Sequence, residues 1–316
     1  MMSRLVCYSV TFSSDSPRPD LLWQLDTSLA TLRTHNRRLP VVAFLYGDAS
    51  PELRRIAQRH GAWIESQGAY EDRLADLSPG WPALTTLPLV HKWLNFPKLA
   101  AWRARQVLAL DCDTVFFRDP EALFDAYDGP DVLAREEVHT SRSVYGADPT
   151  FVDEALLAHL AAHEGAAAIP PFNTGVVLFN NNIISALRGL GPTFVDYVWR
   201  FVTSMTMRSP DEQAIELSDL ACVTAAASLV GPADRRRALP YPSSNRWLVE
   251  EAALWLTLGH VPGLTTADLH PADVAQNGEF AATDPSSAGW VLCHYFSNNR
   301  DRIHAWLERR PAAALV

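Results

Sequence analysis

QVLALDCDTVFFR, residues 106–118, is the stretch on which the reading of this chain turns. Gln106 leads into the apolar run Val107 to Leu110, the pattern of a strand buried on both faces of a parallel sheet. It delivers Asp111 at its C-terminal end, where open α/β sheets bind ligands. Side chains alternate along extended backbone, so Asp111 and Asp113 point the same way and can reach one divalent cation. Hard carboxylate oxygens suit Mg²⁺ or Mn²⁺, ions that also grip a diphosphate. By itself an Asp-x-Asp pair is more often a solvated turn than a site, and the run feeding into it is what raises it to a candidate site.

Upstream, the texture alternates. Leu5 to Phe12 reads as a strand, Leu21 to His35 as a helix with Leu22, Leu25, Leu29 and Leu32 on one face, and Val41 to Tyr46 as a buried strand. Pro51 to His60 reads as a second helix with proline at its start, and Gly61 to Ile64 opens a third strand. Strand, helix, strand, helix, strand predicts an α/β fold with a mainly parallel, Rossmann-like sheet flanked by helices. Residues 70–97 are proline-broken, and a helix is expected from Lys98 to about Arg105. Downstream, strands are expected at 131–134 and 176–180, helices at 152–163, 194–208 and 211–218, and turns over 231–246. No linker divides the chain, so residues 1–316 are read as one domain.

The composition excludes several classes. With 316 residues, 48% of them hydrophobic, the chain can build a substantial core. A net charge of −9 and a longest basic cluster of only Arg235, Arg236 and Arg237 argue against nucleic acid as a partner. Cys7, Cys112, Cys222 and Cys293 form no metal-like spacing, and scattered thiols fit a reducing cytoplasm. No signal peptide and no apolar run of transmembrane length is evident.

Further motifs fall in a recognisable order. FPKLAAW at 96–102 followed by VLALDCDTVFFRDPEALF at 107–124 resembles the retaining family-eight glycosyltransferases, glycogenin and galactosyltransferase-like enzymes of the GT-A fold. The resemblance implies Lys98 near the donor; without it, the same residue is a lysine on a helix surface. Phe172-Asn173-Thr174-Gly175 is similar to the family's segment beside the sugar pocket. There Asn173 offers amide groups to sugar hydroxyls and Gly175 permits close backbone approach. Asp211-Glu212-Gln213 resembles the family's Asp-Gln pair near the reacting carbon, with Glu212 in place of aspartate, so Asp211 or Glu212 fills the acidic position. The same residues also suit a helix N-terminus capped by Ser209. His294, Ser297 and Arg300 match the family's His-x-x-Gly-x-x-Lys, which implies His294 as third metal ligand and Arg300 as the residue that grips the diphosphate.

The family's first strand contacts the base, which points to Thr11 and Phe12, and Cys112 lies between the two carboxylates. Glu136 and Glu137 could reach the sugar, and Asn245-Arg246-Trp247 stands where the family often has an asparagine before an aromatic. The resemblance therefore implies a Mn²⁺-dependent (or Mg²⁺-dependent) hexosyl transfer from a nucleotide-diphosphate sugar, the family favouring a uridine one, to an acceptor the sequence does not identify. Residues 1–118 would form the nucleotide-sugar-binding half and 119–316 the acceptor half. Two other readings stand beside it. DCDTVF also fits the loop of haloacid dehalogenase-like phosphatases, with Asp111 as nucleophile, and a non-catalytic nucleotide-sugar or carbohydrate-binding protein would carry the same pocket.

Overall fold

The computed structural model describes residues 3–11, 19–46, 49–66, 92–136, 161–170, 172–207, 215–217, 238–239, 247–283, 287–295 and 300–309. In chain order the first half runs β1 (Arg4–Thr11), α1 (Pro19–His35), β2 (Val41–Tyr46), α2 (Pro51–His60), β3 (Trp63–Ser66), a 3-10 turn (Lys92–Asn95), α3 (Phe96–Trp102), β4 (Gln106–Leu110), β5 (Thr114–Phe116) and α4 (Glu121–Ala126). The second half runs β6 (Val132–Glu136), β7 (Phe172–Phe179), α5 (Asn181–Ser204), β8 (Met205–Met207), β9 (Ile215–Leu217), β10 (Ala238–Leu239), α6 (Trp247–Leu258), β11 (Thr266–Asp268), β12 (Val274–Ala275), α7 (Asn277–Ala282), β13 (Leu292–His294) and α8 (Arg300–Glu308).

Seven strands form the main sheet in the order β3-β2-β1-β4-β7-β6-β11. All neighbours pair parallel except β7, which runs antiparallel to both β4 and β6. The expected mainly parallel sheet flanked by helices is what forms. Alternation then divides the core: Val107 and Ala109 pack with Leu5 and Cys7 on one face, Leu108 and Leu110 with Val6 and Tyr8 on the other. The same alternation carries past the end of β4. Cys112 packs with Leu108 and Leu110, so Asp111 and Asp113 fall on the face of Val107 and Ala109.

The helix expected over Pro51 to His60 forms over those residues, with Pro51 at its start, and Ser50 caps it by accepting from the Leu53 N–H. Gly61, expected to open the third strand, instead closes this helix at φ 59°, and β3 begins at Trp63. Others are corrected. The helix expected from residue 194 begins at Asn181 and carries Pro192 inside it; the proline disguised its first half. That helix ends at Ser204, and Met205–Met207 is a strand. Of the helix expected over 211–218, residues 215–217 are instead a strand that pairs antiparallel with β8. Residues 161–163 are helical, as expected. Among the described residues, no helix is long and apolar enough to cross a membrane.

Candidate metal centre

A second, three-stranded sheet, β12-β13-β5, completes the site. β13 runs antiparallel to β5, pairing His294 with Thr114, and the Tyr295 N–H donates to the Asp113 carbonyl at 3.1 Å. That pairing brings residue 294 against residues 111–113. His294 Nε2 stands 3.2 Å from Asp113 Oδ1 and 3.8 Å from Asp111 Oδ2, and one ligand atom from each residue lies within 4.8 Å of the others. An octahedral ion with bonds of about 2.1 Å separates adjacent ligands by about 3 Å. Two carboxylates and one imidazole at these separations therefore fit one divalent cation.

Shared contacts fix the histidine. Asn173 Oδ1 accepts from the Gly175 N–H at 2.9 Å and lies 3.0 Å from His294 Nδ1. A backbone N–H can only donate, so this end of the amide is the oxygen, and Nδ1 must carry a proton toward it. Nε2 is then the atom turned to the carboxylates, the usual arrangement in which a second partner sets the tautomer of a metal-binding histidine. Asn173 is buried, and its carbonyl oxygen serves His294.

A distortion in β7 makes room. Val177 pairs with Ala134 and Asn173 with Arg135, so Thr174, Gly175 and Val176 bulge out of the β6 ladder. The Gly175 carbonyl instead accepts from the Asp111 N–H at 2.9 Å. A Cβ on Gly175 would fall onto Cε1, Nδ1 and Nε2 of the His294 ring. Gly175→Ala is expected to cost roughly 1–3 kcal/mol, the range for overpacking, and to push the imidazole off the metal. Thermal melts with and without Mn²⁺ check this. Removing the ring as well, in Gly175→Ala/His294→Ala, should recover stability without metal binding; full Mn²⁺ affinity in Gly175→Ala would contradict the arrangement.

The turn carrying the carboxylates is braced from below. Thr114 Oγ1 donates to the Asp111 carbonyl at 3.0 Å, and Ser28 Oγ links Thr114 (2.9 Å) to the Tyr8 hydroxyl (2.8 Å). Cys112 Sγ lies 3.8 Å from the Ser9 carbonyl and is buried.

The least expected member is Lys92. Its buried Nζ donates to Asp111 Oδ1 and to the Thr174 carbonyl, both at 2.8 Å, and lies 3.6 Å from Glu250 Oε1. Glu250, from α6, also accepts from Trp93 Nε1 and from Thr174 Oγ1. Burial raises the Glu250 carboxyl to about 7 against the pull of Lys92. Lys92 is itself held above the ordinary lysine range: burial lowers it, but Asp111 and Glu250 outweigh that. Lys98, the lysine singled out in the sequence, lies in the first turn of α3 and is half-buried. The lysine that the structure brings to Asp111 is thus six residues earlier. No local pattern marks it, because a buried ammonium is defined by oxygens from distant segments.

Burial lowers the His294 pKa, but Asp113 and Asp111 overcome this and leave it raised. Burial raises Asp113, and His294 reverses it to leave it lowered. A raised histidine stabilises the fold below its unfolded pKa and loses that contribution as pH rises through the folded value; a lowered aspartate loses its contribution as pH falls through its own. The metal-free pair is therefore strongest between the two. Metal needs Nε2 without its proton. The rise in melting temperature on adding Mn²⁺ should grow as pH climbs through the imidazole range, and a rise that shrinks with pH would contradict this.

Of the remaining candidates, Thr11 ends β1, Glu136 ends β6, exposed, and Arg300 opens α8. Phe12, Glu137, Asp211, Glu212, Gln213, Asn245, Arg246 and Ser297 lie outside the described residues.

No family model matches the chain and no curated protein matches it. Solved structures do. An active-site mutant of LgtC matches with a TM-score of 0.51 at 11% identity, over 99% of this chain and 100% of that one. LgtC, a galactosyltransferase solved with donor and acceptor sugar analogs, matches at 0.47 and 11% identity, over 98% of each chain. The glycosyltransferase GlyE of Streptococcus pneumoniae TIGR4 matches at 0.48 and 14% identity over the whole of this chain. This chain spans 62% of the length of GlyE. What the chain shares with the LgtC mutant at this identity is the fold: the GT-A fold, with a mostly parallel seven-stranded sheet.

Proposed function

We propose that this chain is a metal-dependent glycosyltransferase that moves a hexosyl unit from a uridine diphosphate sugar to an acceptor hydroxyl, with retention of anomeric configuration. The observation that carries the reading is the Asp111, Asp113 and His294 group at the C-terminal edge of β4, drawn from two segments far apart in sequence. The two carboxylates favour Mg²⁺ or Mn²⁺, and the imidazole tips the choice to Mn²⁺. A divalent ion bound there supplies positive charge to the leaving diphosphate.

The chain's own residues do the rest. Asn173 keeps Nε2 of His294 turned to the ion, and Lys92 fixes one oxygen of Asp111 so that the other faces it. Arg300 adds charge and forked donors to the diphosphate oxygens, with Ser297 and Lys98 beside the donor. Thr11 and Phe12 meet the base, and Asp211, Glu212 and Gln213 line the reacting sugar. Residues 1–118 hold the nucleotide sugar, and 119–316 shape the acceptor side.

The test is hydrolysis or transfer of uridine diphosphate hexoses in Mn²⁺ and in chelator, with the product anomer read by NMR. Turnover only with metal, with the donor's anomeric configuration kept, is the expected result. An inverted product would overturn retention, and a phosphorylated Asp111 trapped from a phosphate ester would install the phosphatase reading instead.

A further inference from the structure

Arg300 stands at the start of α8, six residues beyond His294, and its guanidinium carbon lies 4.9 Å from the centre of the Trp23 ring. One turn later on the same helix, His304 stacks on the same indole, with ring centres 3.9 Å apart and planes 21° from parallel. Trp23 projects from α1 and packs against the cluster containing Val115, Phe117 and Trp306, so the indole is set by the same layer that carries β5 and β13. Tyr295 ties this corner to the metal centre. Burial and Asp113 push its phenol up, while Arg300 pulls it down.

We propose that Trp23 is a positioning residue that holds the Arg300 guanidinium flat, with its N–H edge turned to the diphosphate of the bound nucleotide. The inference rests on the nucleotide-diphosphate reading above. A guanidinium is planar and weakly hydrated, so its face can lie on an aromatic ring while its edge donors remain free to fork onto two phosphate oxygens. Holding and gripping use different parts of the group. Among the described residues, no hydrogen bond or ion pair takes the Arg300 N–H groups. An ammonium has no such face, so a lysine at 300 would keep the charge and lose the orientation. The stack of His304 fixes the indole in turn.

The test is calorimetric titration of UDP, in saturating Mn²⁺, into the full chain and its variants. Trp23→Leu should weaken UDP by about 3- to 10-fold, the range a cation–π contact is worth. Trp23→Tyr, which keeps an aromatic face, should stay close to wild type, and Mn²⁺ alone should bind all of them equally. In an Arg300→Lys background, Trp23→Leu should add nothing. Wild-type UDP affinity in Trp23→Leu would overturn the proposal, as would an equal loss in the lysine background, which marks mere packing. Should Trp23→Leu fail to fold, Arg300→Lys alone decides: a similar weakening supports the stack, and unchanged affinity overturns it. If the wild-type chain with Mn²⁺ does not bind UDP at all, the diphosphate reading falls and takes this proposal with it.

Discussion

Asp113→Asn is expected to abolish metal-dependent donor turnover, by at least about 100-fold, while the metal-free protein still folds and melts cooperatively, at a somewhat lower temperature than wild type. Removing an outer partner of a metal ligand already costs about 10–100-fold in affinity, and Asp113 is a ligand itself. Its Oδ1 is the carboxylate oxygen 3.2 Å from His294 Nε2, so the amide loses charge at the point where the three groups converge. The loss of the pair with His294 costs some stability, but the fold survives it, because the turn is also held through backbone and hydroxyl contacts of Asp111, Thr114 and Ser28. Electron paramagnetic resonance of free Mn²⁺ gives the affinity directly, beside the hydrolysis rate. An unchanged rate would sink the assignment of this carboxylate to the metal.

Lys92→Met should produce the largest loss of stability, roughly 3–5 kcal/mol, the range for breaking a buried charge pair from one side. Lys92 and Glu250 are both almost fully buried, so water cannot replace the ammonium beside Glu250 and Asp111. The sign with pH follows from Glu250. Its folded pKa is already raised to about 7, and removing Lys92 raises it further. An acid whose folded pKa is raised destabilises the fold as pH rises above its unfolded value. The variant should therefore lose more stability at pH 8 than at pH 5. Glu250→Gln in the same background should return part of the loss, a coupling that denaturant melts of the four-member cycle would read. A loss indifferent to Glu250 would show that the buried pair is not what Lys92 supports.

The upstream half of the fold was legible because each element there is written in local pattern. Val41–Tyr46 and Val107–Leu110 are continuous apolar runs, and Pro51 marks the start of α2. The carboxylate pair was legible for the same reason: alternation past Leu110 places Asp111 and Asp113 on one face. Direction and distortion in β7 were not. An apolar strand buried on both faces reads alike whether parallel or antiparallel, and nothing in Thr174-Gly175-Val176 announces a bulge that only its two neighbours define. Lys92 sits in a proline-broken stretch with no periodicity, and nothing local to Glu250 and Glu251 in α6 announces that Lys92 and Thr174 lie beside them. His294 was found by a spaced motif, yet the partner that orients it, Asn173, was read as a sugar contact.

The most direct test of the metal centre is a crystal grown with Mn²⁺ and UDP and measured for anomalous scattering. The arrangement predicts one strong peak within bonding distance, about 2.0–2.3 Å, of Asp111, Asp113 and His294 Nε2, with diphosphate oxygens completing its shell. UDP bound with no Mn²⁺ peak at these three residues, or with the peak elsewhere, would contradict it.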